Sequence, residues 1–199
     1  QIEDFPLESE AHYSNASLSE LRAKFAAPAD KLVIYTGNLE SYQGIDLLLH
    51  GYAALPEAMR NSARLVIVGG EDRDIQRCQK LSENLAIKLN VTFAGRYSLS
   101  EAQAFLKVAD LLVSPRREGV NTPLKVYSYM QSGVPIVATD IVSHTQVLST
   151  DSAFLCPPTP QGMAEALSAA LDFSAEGCAE RVRRAHNAKT LVEEQYSFS

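Results

Sequence analysis

The chain has 199 residues, 46% of them hydrophobic and 21% charged, with a formal net charge of −6. That is enough apolar material for one sizeable core with appendages, and the acidic balance gives no basic field for a nucleic-acid backbone, so no nucleic-acid partner is expected. Cys78, Cys156 and Cys178 form no C-x-x-C pair, His12, His50, His144 and His186 show no H-x3-H spacing, and no apolar run approaches the roughly 18 residues of a membrane span, so disulfide framework, zinc site and membrane helix are all unsignalled.

In chain order, the first stretch mixes acidic residues, proline and small polar types. Residues 1–30 read as a linker followed by a leading helix, with Ser17 and Glu20 spaced as a capping box and Leu18, Leu21 and Phe25 on one face. Asn15-Ala16-Ser17 matches a glycosylation sequon, but a secretory leader, and with it glycosylation, is not expected. The chain does not start with Met, and a cytoplasmic piece of a longer protein is expected.

From Lys31 the pattern changes. Apolar runs at 32–35, 65–68, 91–94, 111–113, 136–138 and 153–156 predict six strands, and amphipathic stretches at 45–55, 75–89, 100–108, 123–130 and 145–148 predict the helices between them. Strands that are apolar almost throughout and separated by helices imply a parallel sheet covered on both faces. The fold class is therefore α/β, a doubly wound Rossmann-like sheet over residues 31–199, closed by helices at 159–171 and 178–194.

The loops after the strands hold the candidate site. After the first strand, Gly37 and Gly44 bracket Asn38 and Gln43 and open a helix, a pattern that serves either a tight strand-to-helix turn or a phosphate loop. Gly69 and Gly70 follow the second strand. Arg96 and Tyr97 follow the third, where a guanidinium and an aromatic ring can stack on a base, clamp a phosphate, or, for Arg96, pair with Glu118. The fourth strand leads into Pro115-Arg-Arg-Glu-Gly-Val-Asn-Thr-Pro-Leu-Lys125, with Thr122 and Pro123 read as N-cap and first residue of a helix that Gly133 closes. Open α/β sheets bind ligands at such strand ends, and free helix N–H groups there favour an anion.

The loop with Glu118 and the helix ending in Met130-Gln-Ser-Gly-Val-Pro-Ile-Val-Ala-Thr139 resembles the retaining GT-B glycosyltransferases of group 1. The resemblance implies the C-terminal, donor-binding half of a two-domain enzyme that moves a sugar from a UDP- or GDP-type donor, with an acceptor-binding N-terminal half outside this chain. It implies that Glu118, Arg117 and Lys125 carry the chemistry: Glu118 holding sugar hydroxyls, or else pairing with Arg96 or Arg117, and the two cations on the diphosphate. Gly37, Asn38, Gln43, Gly70, Arg96, Asn121, Thr122 and Ser128 are the donor-binding residues it implies. Asn38 and Gln43 stand where the family writes Arg and Lys, and Ser128 where it writes the second Glu, two residues farther from Glu118 than the family spacing. No metal and no other cofactor are expected. Contact with the inner face of a membrane is expected only through the absent half. Tyr196-Ser197-Phe198 sits where the family turns before its last helix, and His144 either faces the pocket or is structural. The competing reading is a non-catalytic nucleotide- or effector-binding domain of the same fold; an epimerase or phosphorylase lacks its expected catalytic residues here.

Overall fold

The computed structural model describes residues 13–195. Expectations about residues 1–12, His12 among them, and about the Tyr196-Ser197-Phe198 turn lie outside the described residues.

Six parallel strands, β1 (Lys31–Thr36), β2 (Ala63–Val68), β3 (Val91–Gly95), β4 (Leu111–Ser114), β5 (Ile136–Thr139) and β6 (Phe154–Cys156), form one sheet in the order β3-β2-β1-β4-β5-β6. Successive side chains along a strand point to opposite faces, and both faces are apolar here. Val33 and Tyr35 of β1, Leu65 and Ile67 of β2, and Leu111 and Val113 of β4 pack into one cluster. Leu32, Ile34, Val66, Val68 and Leu112 pack into the other.

Helices α2 (Ile45–Ala53), α3 (Glu57–Asn61), α4 (Asp72–Asn84) and α8 (Pro160–Ala170) cover the first face. Helices α1 (Asn15–Ala23), α5 (Leu99–Val108), α6 (Leu124–Ser132) and α9 (Ala175–Gln195) cover the second, and the short α7 (Val142–Thr145) follows β5. The leading helix belongs to the body: Leu18, Leu21 and Phe25 pack on the second cluster, and the Arg22 guanidinium donates to the Val108 carbonyl at 2.7 Å and to Asp110 Oδ2 at 2.7 Å. Cys78 and Cys156 are buried, and all three cysteines are free thiols. No helix among the described residues is long and apolar enough to cross a membrane.

Helix ends differ from the sequence reading where capping competes with apolar spacing. Ser14, not Ser17, caps α1, accepting from the Ser17 N–H at 3.1 Å, and a capping box of this kind is formed instead by Ser98 with Glu101 at α5. The pattern at 75–89 is really α4 from Asp72 to Asn84: Asp72 and Asp74 suit the positive end of its dipole, and Ala86 at φ 55 breaks it, leaving Leu89 exposed. Pro123 is the N-cap of α6, and Thr122 turns its hydroxyl to Gln146 instead. The helix expected at 145–148 is α7, earlier by three residues, so that Val147 and Leu148 enter the core. A five-residue helix such as α3 is too short to show a period.

Beyond Ile34 no β1 residue is paired with β4, and the Thr36 N–H turns to a side chain: the buried Tyr129 hydroxyl accepts from it at 2.9 Å and meets Thr36 Oγ1 at 3.1 Å. Tyr129→Phe should therefore cost about 1–3 kcal/mol by leaving this backbone donor without its partner. Urea unfolding that gives an unchanged midpoint would show that the hydroxyl contributes nothing.

Candidate functional site

Strands β1 and β4 are neighbours, yet the chain leaves them toward opposite edges, β1 to β2 and β4 to β5. At such a switch point the two outgoing loops separate and leave a crevice above the strand ends. The loops touch at its floor. The Arg117 N–H donates to the Tyr42 carbonyl at 2.9 Å, and Gly44, at φ 74, lies so close that a Cβ would sit 2.0 Å from the Pro115 carbonyl oxygen. The β1 and β2 loops meet just as closely, since a Cβ on Gly69 (φ 108) would come within 2.2 Å of the Gly37 carbonyl oxygen. Only glycine permits these two backbone approaches.

Above them opens a cleft of about 700 Å³. Of the residues singled out from the sequence, Gly37, Asn38, Gly69, Gly70, Arg96, Tyr97, Lys125 and Ser128 line it. Gln43 is buried beside it, and Arg117, Glu118, Asn121 and Thr122 lie on the neighbouring loop, outside the cleft lining.

Lys125 dominates the cleft electrostatically. It stands in the first turn of α6, a helix start that no side chain caps, so free backbone N–H groups remain there. Its side chain crosses to the β1 loop: Nζ donates to Gln43 Oε1 at 3.0 Å and lies 4.0 Å above the centre of the Tyr35 ring. No carboxylate among the described residues pairs with it. Burial first, and then the nearby Arg116, bring its pKa down to about 7. From its sequence Tyr35 is a strand residue with nothing to mark it as part of a site. Its ring is part of the site, and its hydroxyl shapes the loop by donating to the Asn38 carbonyl at 2.6 Å.

The third-strand loop is placed differently from one expectation. Arg96 pairs with Glu71 across the cleft mouth, not with Glu118, because the β2 and β3 loops are adjacent while two strands, β2 and β1, separate β3 from β4. Tyr97 stands edge-on to Phe105 with ring centres 4.8 Å apart and keeps 38% of its surface exposed. Glu118 and Arg117 are both exposed, and neither forms an ion pair among the described residues, which removes the Glu118 pairing with Arg96 or Arg117. Arg116 is committed to the loop itself: Nε donates to the Glu118 carbonyl at 2.8 Å and Nη1 to the Asn121 carbonyl at 3.1 Å. Among the described residues no group of three or more His, Cys, Asp or Glu is placed to hold a metal ion.

His144 is structural and lies behind the site, fully buried. Its Nδ1 is 2.9 Å from the Thr139 carbonyl, so that nitrogen carries the proton, and Nε2 accepts from the Ser114 hydroxyl at 2.8 Å. Burial, with Lys125 and Arg116 nearby, outweighs the Thr139 bond and holds the pKa down at about 4.

Comparison with known proteins follows the same lines. Residues 30–172 match the family model described as Glycosyl transferases group 1. The chain is 27% identical over 119 residues to the lipopolysaccharide glucosyltransferase WaaG of Escherichia coli K12, a match covering 59% of this chain and 30% of that protein. In fold it is similar to Anabaena HepE, solved with UDP and glucose, at TM-score 0.79 and 17% identity over 92% of this chain and 49% of that one. It is also similar to the C-terminal domain of the group 1 protein LpcC from Francisella tularensis, at TM-score 0.73 and 14% identity, with 90% of this chain and 91% of that domain covered. The chain thus matches under a third of the length of WaaG and about half of HepE.

The neutral His144 gives an acid-linked test of the scaffold behind the site. Above pH 6.5 the imidazole is neutral in both folded and unfolded chains; as pH falls toward 4 only the unfolded chain takes up the proton, so stability is lost across that window. The loss due to this residue should be about 3 kcal/mol. Urea unfolding from pH 7 to 4 on wild type and His144→Gln should show a shallower pH slope in the variant, and parallel slopes would contradict the neutral, buried assignment.

Proposed function

The chain belongs to the group 1 glycosyl transferases, and from that premise we propose that it forms the donor-binding half of a retaining enzyme transferring a sugar from a nucleotide diphosphate, with the acceptor held by a second domain. The observation that carries this reading is Lys125: a half-buried cation, without a carboxylate partner among the described residues, held over a glycine-floored cleft at the sheet's switch point. Desolvating an ammonium without a counter-charge is costly, and an anionic ligand in the cleft removes that cost. The UDP in the HepE complex supports a diphosphate as that anion.

In this reading the protein's work is electrostatic. Negative charge grows on the diphosphate as the sugar departs, and Lys125, Arg117 and the uncapped amides of α6 stabilise it more in the transition state than in the ground state. Lys125 reaches from α6 to Gln43, the position where the family resemblance places a lysine of the first loop, so the cation has moved to the opposite wall of the cleft. Neutralisation comes from side chains and backbone amides, and the scheme asks for no metal. Glu118 takes the sugar hydroxyls, Ser128 the ribose, and Arg96 with Tyr97 the base. Asn38, Asn121 and Thr122 add neutral hydrogen bonds. The setting is cytoplasmic, with membrane contact only through the other half. A second reading, a nucleotide-binding domain without chemistry, draws on Asn38, Gln43 and Ser128 standing in place of two cations and a carboxylate.

Two measurements test the reading. A diphosphate beside Lys125 restores its proton, so UDP or GDP affinity should be level below pH 7 and weaken as pH rises toward 9, with proton uptake seen by calorimetry in buffers of different ionisation enthalpy. Lys125→Met should bind ten- to a hundredfold more weakly, the worth of one charged hydrogen bond of roughly 1.5–3 kcal/mol, and should lose the proton uptake. Equal affinity in the variant would remove Lys125 from the diphosphate.

For chemistry, Glu118→Gln in the full-length enzyme should leave UDP or GDP binding intact while weakening the matching nucleotide-sugar, and turnover above all, by about ten- to a hundredfold. Full activity in that variant would take Glu118 out of the sugar site, whereas absence of turnover in wild type as well would favour the second reading.

A further inference from the structure

The segment from Arg116 to Thr122 has neither helix nor strand, and its working side chains, Arg117, Glu118 and Asn121, are exposed. Its backbone is nevertheless tied at successive points. Arg116 binds the Glu118 and Asn121 carbonyls from inside, the Arg117 N–H is held by Tyr42, and the Thr139 hydroxyl donates to the Arg116 carbonyl. Thr139 and Ser114 both meet His144, so the first half of the loop rests on a buried, neutral network.

The second half rests on one side chain from another element. Gln146, in the turn just after α7, donates from Nε2 to the Val120 carbonyl at 2.8 Å and accepts at Oε1 from the Thr122 hydroxyl at 3.1 Å. Its amide therefore has one workable orientation, because reversing it would set oxygen against the Val120 carbonyl oxygen. The Gln146 backbone is itself held by its N–H to the Val142 carbonyl at 3.2 Å, next to the fully buried His144. An exposed side chain whose backbone adjoins α7 thus spans residues 120 and 122, either side of Asn121.

We propose that Gln146 is a positioning residue: it braces Val120 and Thr122 from behind, so that the loop offers Glu118 and Asn121 to the donor sugar in one conformation. It does not touch the ligand. Its effect on the sugar rests on the donor-binding reading above; its effect on the loop does not. Because Gln146 bonds to Val120 and Thr122 while Lys125 bonds to Gln43, the two share no partner, so Gln146 acts on the sugar half of the donor and leaves the nucleotide half alone.

Gln146→Glu is the discriminating variant, with the same shape but no donor for Val120 and a carboxylate oxygen facing that carbonyl. Hydrogen exchange on the free chain should show faster exchange for residues 118–122 with an unchanged melting temperature, and unchanged exchange there would overturn the brace. Calorimetry with UDP and UDP-glucose, and with GDP and GDP-mannose, should show free nucleotides binding as in wild type and the matching nucleotide-sugar about three- to tenfold more weakly, the effect of one neutral hydrogen bond. A loosened loop with both ligands bound as in wild type would overturn the positioning role, as would equal weakening of both. Failure of wild type to bind any of the four would count against the donor-binding reading, and the exchange experiment alone would then decide whether Gln146 holds the loop.

Discussion

Two parallel strands that lie side by side while their chains depart in opposite directions set the terms for everything at this site. Between β1 and β4 the ladder ends early, at Ile34 and Leu112, and the loops that follow are free to bind something other than each other. Backbone groups released there must still be satisfied. Tyr129 takes the Thr36 N–H, Arg117 and Tyr42 pair their backbones, and beside them His144 accepts from the Ser114 side-chain hydroxyl. Each of these partners comes from a different segment, so the crevice is rigid at its base without being filled. Rigidity at the base is what lets a cation and an uncapped helix start face open space in a defined place.

Charge is distributed unevenly around that crevice. Most arginines with named partners tie elements together: Arg22 joins α1 to Asp110, Arg77 joins α4 to Asp46, and Arg183 joins α9 to Asp151. These are exposed or half-exposed pairs, each worth little to stability. Lys125 differs in kind, with an aromatic ring and an amide as its partners among the described residues and a neighbouring guanidinium that repels it. A fold tolerates such a residue only where another requirement holds it, and ligand binding is the usual one.

Similarity to solved structures is strong in shape and slight in sequence, and the physics of the sheet accounts for both. A strand buried on both faces needs apolar residues of suitable size but not particular ones. Sites are less forgiving about which charge stands where, yet a cation reaching across a narrow cleft can serve from either wall. Lys125 beside Gln43 has that geometry.

Reading the residues alone settled what depends on periodicity and on backbone chemistry. Six apolar runs identified six strands, alternation with amphipathic segments made the sheet parallel and two-faced, and the glycines at 44 and 69 marked where backbones come close. The loops that line the cleft were legible for the same reason, since strand ends are found by where apolar runs stop. Helix starts were less so: Ser17 and Thr122 have the chemistry of caps, but Ser14 and Pro123 hold those positions, because a hydroxyl goes to whichever partner the fold brings near. Partnerships across the chain were not legible at all. That Arg96 meets Glu71, that Lys125 rests on Tyr35 and Gln43, and that Gln146 braces Val120 and Thr122 all depend on contacts between segments distant in sequence. Periodicity is a local property and survives in the one-dimensional string; the pairing of a charge or an amide is a matter of a few ångströms between elements, and only the packed sheet and its helices decide it.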